Sequence, residues 1–177
     1  MPAIKVIAQI FLITVLGLMA HELGHLAAAK ALGYEAVLNL NSVRTIGLDD
    51  PVHGLIITGA GPLLTIGQGM LGYYLIRSDG RAMLGLGLLV CAAVQRLFAA
   101  ILSLIANPND EMRMSVELGL GSWTLYAVIL AGLWWLVLRG VKRVKPGWSY
   151  AVWVWLGTSL GLTLMIFGEG VMPVVQL

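Results

Sequence analysis

Hydrophobic positions in this chain gather into five long runs separated by shorter polar stretches. The runs extend over Ile4 to Leu32, Val52 to Ile76, Ala82 to Ala106, Ser122 to Leu138 and Tyr150 to Phe167. Each is near the ~20 residues that an apolar helix needs to cross a hydrocarbon layer about 30 Å thick. The pattern predicts an all-α integral membrane protein with about five transmembrane helices. Between the first two runs, Val37, Asn39, Asn41 and Val43 alternate with Leu38 and Leu40, which predicts a short strand or β-hairpin after the first helix. A tight turn over Arg77 to Arg81 and loops over Asn107 to Gly121 and Arg139 to Gly147 join the remaining spans. The first run has the basic start and apolar middle of a signal peptide. However, Leu18 and Ala20 make a poor small-x-small cleavage site, and apolar character resumes through Leu26 to Leu32, so one long helix is expected.

Composition agrees with this reading. Of 177 residues, 59% are hydrophobic and 11% charged, against about 25% charged in soluble domains. The spans take up nearly all the chain, so a single domain is expected, with a core of three spans in residues 1–115 and two accessory transmembrane helices in 116–177. A net charge of +2 without a basic face excludes a nucleic-acid partner and leaves the lipid bilayer as the expected surroundings. Cys91 is the sole cysteine, which rules out an intrachain disulfide and leaves the redox compartment open. Lys5, Arg77, Arg81, Arg139, Lys142, Arg143 and Lys145 fall on one side of a five-span topology, and Lys30, Arg44 and Arg113 on the other. Excess Lys and Arg mark the cytoplasmic side, which puts the amino terminus there. Trp134, Trp135, Trp148 and Trp123 flank the last two spans as interfacial anchors.

The candidate chemistry is the His21-Glu22-Leu23-Gly24-His25 segment within the first span. Residues four apart share a helix face, so His21 and His25 can present two imidazoles to one ion, with Glu22 beside them as general base for a metal-bound water. Zinc suits this ligand set and keeps a position open for water. HExxH occurs by chance on soluble helices, but ionisable groups inside a span are costly and call for a compensating role. The competing reading is polar residues that join helices through hydrogen bonds. A third ligand must come from elsewhere. Asp110, in Asn107-Pro108-Asn109-Asp110-Glu111, follows the third span at the end shared with HELGH, where Pro108 breaks the helix. A helix-capping role is the alternative for Asp110, and Glu111 and His53 compete with it as ligands. Gly59-Ala60-Gly61-Pro62 in the second span lies at the same level and suits close helix packing. Arg96 is fourteen residues before Asp110, roughly 21 Å along a helix at about 1.5 Å per residue, so pairing or snorkelling is expected of it rather than metal contact.

These residues resemble the site-2 protease family of intramembrane zinc metalloproteases. His21-Glu22-Leu23-Gly24-His25 matches the family's HExGH, Ala60-Gly61-Pro62 is similar to its small-Gly-Pro element, and Asn107, Pro108 and Asp110 resemble its third-helix ligand segment. The resemblance covers roughly the first 115 residues, and the chain departs from the family in having Glu111 after Asp110 and Thr65 after the Gly-Pro element. It implies a three-helix catalytic core holding Zn2+ through His21, His25 and Asp110, with Glu22 catalytic and Asn107 a candidate for binding substrate. The implied substrate is a transmembrane or membrane-anchored peptide that must unwind before it is cut, and Ala36 to Val43 could receive it by strand addition. The implied setting is a bacterial or archaeal cell membrane, with zinc nearer the cytoplasmic face, whereas the charge count puts HELGH towards the outer face. The alternative function is a non-catalytic membrane scaffold or a metal-binding transporter. The oligomeric state stays open.

Overall fold

The computed structural model describes residues 2–78, 80–168 and 175–176. In chain order these form α1 (Ala3–Ala31), β1 (Glu35–Leu38), β2 (Val43–Ile46), α2 (Pro51–Leu75), α3 (Ala82–Ile105), α4 (Asp110–Glu117), α5 (Thr124–Val144), α6 (Trp148–Phe167) and β3 (Val175–Gln176). Five of the helices, α1, α2, α3, α5 and α6, are long and apolar enough to cross a membrane, consistent with a multi-pass membrane protein. The expected fold class is therefore observed, including the hairpin after α1.

Local chemistry explains the boundaries. Gly33, at φ +86°, stops α1 with a backbone conformation that side-chain-bearing residues avoid. The Asp50 carboxylate caps α2 by accepting from the Val52 and His53 backbone N–H groups, and Pro51 occupies the first turn, where its missing donor costs nothing. Two elements differ from the sequence expectation. Helix α5 continues past Leu138 through the supposed basic loop to Val144, because cations in a last helical turn complement the helix dipole and Arg139 lies 4.2 Å over the Trp135 ring. The supposed loop after α3 contains α4, with Asp110 and Glu111 in the first turn, where carboxylates favour a helix start.

Small residues set the packing. A Cβ on Gly72 of α2 would lie 2.6 Å from the Gly85 carbonyl oxygen of α3, so these helices meet backbone to backbone. Gly157 and Gly161 of α6 sit equally close to α1, against the Ile10 and Thr14 side chains. The fifth span thus lies directly on the helix that carries HELGH, and α5 covers α3. Val6, Ile10, Leu86, Leu89, Leu133, Val137, Tyr150 and Val154 form the main apolar core. Large apolar side chains such as Leu12, Leu16, Leu63, Leu71, Val128 and Leu160 point outward around the bundle.

The sheet is antiparallel in the order β2-β1-β3. Glu35 is paired with Ile46 and Leu38 with Val43 in the hairpin. Because β3 pairs with β1 on its other side at Val37 and Leu38, β1 is the central strand and β2 an outer one.

Candidate metal centre

His21 lies roughly 27 Å along α1 from Ala3 at about 1.5 Å per residue, near the far side of a hydrocarbon layer if the helix crosses one. One helical turn separates it from His25, and the two rings stand edge to face with centroids 4.7 Å apart. They project onto α2 at Gly61. A Cβ there would overlap the His25 ring at Nε2 and come within 2.7 Å of His21 Cε1, so only glycine leaves space for both imidazoles. Gly24, between the histidines, is pressed against α2 as well, since a Cβ would stand 2.9 Å from the Ala60 carbonyl oxygen.

Asp110 reaches the same point from the start of α4. Its Oδ2 lies 3.0 Å from His21 Nε2 and 3.3 Å from His25 Nε2, and the two Nε2 atoms are 3.1 Å apart. These three groups could hold a metal ion. Tetrahedral bonds of about 2.0–2.1 Å place neighbouring ligand atoms about 3.3–3.4 Å from one another, close to the spacing seen here.

The opposite ring nitrogens show which form the imidazoles take. His25 Nδ1 is 2.7 Å from the Ile57 carbonyl oxygen. A carbonyl only accepts, so Nδ1 carries the proton, and in the neutral ring Nε2 presents its lone pair to the centre. His21 Nδ1 is 3.1 Å from Thr65 Oγ1, whose own hydroxyl donates to the Gly61 carbonyl at 3.4 Å. That direction makes Thr65 the acceptor and turns the Nε2 lone pair of His21 inward too. Two nitrogen lone pairs and a carboxylate oxygen thus face one point, a donor set that a shared cation could satisfy. Second partners that fix tautomer and ring orientation are typical of metal-binding histidines.

The cluster opens into a cavity of about 420 Å3. Glu22 lies in its wall with His21, His25 and Asp110, beside Arg96 and Asn109. Val43, Arg44 and Thr45 of β2 close one side, and Leu162, Met165 and Ile166 of α6 another. Thus α6, expected to be accessory, contributes wall to the cavity.

Among the described residues, the structure brings His21, His25, Asp110 and Glu22 together and leaves other candidates apart. Asn107 is exposed, and the asparagine in the cavity wall is Asn109. His53 is not among the cavity-lining residues and lies 2.9 Å from the Tyr34 hydroxyl and 3.9 Å from Asp50. Glu111 is fully buried and paired at 2.9 Å with Arg96 Nη1 rather than turned to the histidines. The helical-rise estimate that separated Arg96 from this segment assumed a continuing helix. In fact the chain leaves α3 at Ala106 and folds back. Sequence reasoning also missed the partners Thr65 and Ile57. Thr65 could have been found four residues after Gly61, on the same helix face, but a backbone carbonyl leaves no trace in side-chain pattern.

No family model matches the chain, and no curated protein or solved structure matches it at a significant level.

Proposed function

We propose that this chain is an intramembrane zinc metalloprotease that hydrolyses peptide bonds in or near membrane-spanning segments of other proteins. The observation that carries this reading is the convergence of three metal-competent atoms, with both imidazole Nδ1 atoms held elsewhere, beside a glutamate in one cavity wall. His21, His25 and Asp110 would hold the ion. Zinc, when bound, lowers the pKa of a coordinated water towards neutrality and polarises a substrate carbonyl. Glu22 takes the proton of the attacking water and passes it to the amide nitrogen as the C–N bond breaks. Thr65 and the Ile57 carbonyl keep the imidazoles oriented throughout.

A peptide must be extended to expose its carbonyl, and β2 provides a place for one. Its partner among the described strands is β1 alone, and Val43, Arg44 and Thr45 also line the cavity. Substrate would add to β2, which begins at Val43 in the expected stretch Ala36 to Val43, rather than to β1, which is already paired on both sides. A metal-binding transporter is disfavoured because the described polar groups thin out beyond Gln95, Gln68 and Thr14 into the apolar core of Val6, Ile10, Leu86 and Leu89.

Zinc content and cleavage of a reporter transmembrane peptide in detergent test the proposal. Wild type is expected to bind about one zinc and cut. Glu22→Gln should keep the metal and lose about 10²–10⁴-fold in kcat, and Asp110→Ala should lose metal and cleavage together. A wild type that stays metal-free after zinc loading would overturn the assignment, and zinc binding without cleavage across a panel of membrane segments would favour a scaffold.

A further inference from the structure

Asp110 follows an exposed turn, Ala106 to Pro108, whose Pro108 carbonyl accepts from Arg113 Nε at 2.9 Å. Its neighbours on both sides are tied to one face of α3. Asn109 donates its backbone N–H to Ser103 Oγ at 2.9 Å and its side-chain amide to the Ala99 carbonyl at 2.9 Å. The Ser103 hydroxyl meets the Tyr126 hydroxyl at 2.8 Å, and Tyr126 donates to the same Ala99 carbonyl. One turn further down, Arg96 Nη1 donates to Glu111 Oε1 at 2.9 Å, with Arg96 only 3% and Glu111 0% exposed. Arg96, Ala99 and Ser103 follow helical spacing, so they present a single row of grips to residues 109 and 111.

The ion pair is poorly explained by stability alone. Its charges share one hydrogen bond, while Arg96 Nε and Glu111 Oε2 are buried with no partner. Removing two charges from water for one contact is rarely recovered in stability, and apolar residues of similar volume often serve a fold as well or better. What the pair does accomplish is geometric: it pulls the first turn of α4 against α3 at the residue next to Asp110.

We propose that Arg96 and Glu111 are positioning residues that hold Asp110 Oδ2 against the His21 and His25 Nε2 atoms, so that the third ligand is fixed before an ion arrives. The idea rests on the metal-centre reading above and assigns a role to the departure Glu111. Without the pair, the Asn109 bonds tie this segment to α3 alone, and Asp110 Oδ2 is held less firmly against the two Nε2 atoms.

The test uses the full chain in detergent, with Zn2+ and Co2+ as probes. Arg96→Met/Glu111→Met replaces the pair with apolar side chains and leaves no lone buried charge, so it is expected to keep the helical circular dichroism of the wild type. Its zinc Kd should rise about 10–100-fold, the usual loss when a supporting partner of a metal ligand is removed. The Co2+ absorption spectrum should shift away from the wild-type form. Glu111→Asp, which keeps the charge but shortens the reach by one methylene, should fall between and serves as the readout if the double variant does not fold. A variant that binds zinc with wild-type Kd and shows the wild-type Co2+ spectrum overturns the positioning role while leaving the centre intact. A wild type that takes up neither ion overturns the centre and, with it, this role.

Discussion

The two ends of the helix bundle use the same device for different ends. At the end opposite the cavity, Gly72 and Gly85 let α2 and α3 touch, and the nearest atoms each glycine meets are backbone. The contact is complete in itself, surrounded by Ile76, Leu86, Leu89 and Val137. At the cavity end, Gly61 and Gly24 bring α1 and α2 equally close, but Gly61 meets two imidazoles whose inward nitrogens, together with Asp110, could hold a metal ion. Close approach therefore supports packing at one end and brings two histidines to a carboxylate at the other. A small-residue motif alone does not distinguish them.

The sharpest way to break the comparison is one substitution made at both ends of α2. Gly61→Ala should abolish stoichiometric zinc binding, because the new methyl occupies the His25 ring position, whereas Gly72→Ala should keep the metal and lose stability through overpacking, by about 1–3 kcal/mol. Equal zinc content in the two variants would refute the distinction. Next in size, Leu89→Ala in the fully buried core is expected to cost about 2–5 kcal/mol in a denaturation series with zinc Kd unchanged. The smallest effect sharpens the picture at the cavity end. Thr65→Val keeps shape but removes the acceptor for His21 Nδ1, and titration should show zinc Kd rising about 10–100-fold with the melting profile of the metal-free protein preserved.

Much of the architecture was legible from apolar runs alone, because a helix in hydrocarbon must satisfy its own backbone and the requirement is met residue by residue along the chain. The ends of α5 and the presence of α4 were less so. Arg139 to Val144 read as a polar loop, yet Lys and Arg are good helix formers and suit a carboxyl-terminal turn. Of the candidate site, His21, Glu22 and His25 were visible as a unit through helical spacing, and Asp110 by its place after a helix-breaking proline. Asn107 reads as a candidate from its place in the segment, but composition does not say which way a turn faces.

The sequence by itself determined five apolar spans, a hairpin after the first, and two histidines and a glutamate on one helix within a span. Periodicity and burial cost act locally, so both can be read from neighbouring residues. Only the tertiary structure decided that Gly61 lies beneath the imidazoles, that Thr65 and the Ile57 carbonyl hold their far nitrogens, that Glu111 turns to Arg96, and that β2 and α6 wall the cavity. Each of these depends on which helices meet and at what rotation. That outcome is set by close packing among residues far apart in the chain, and no local pattern records it.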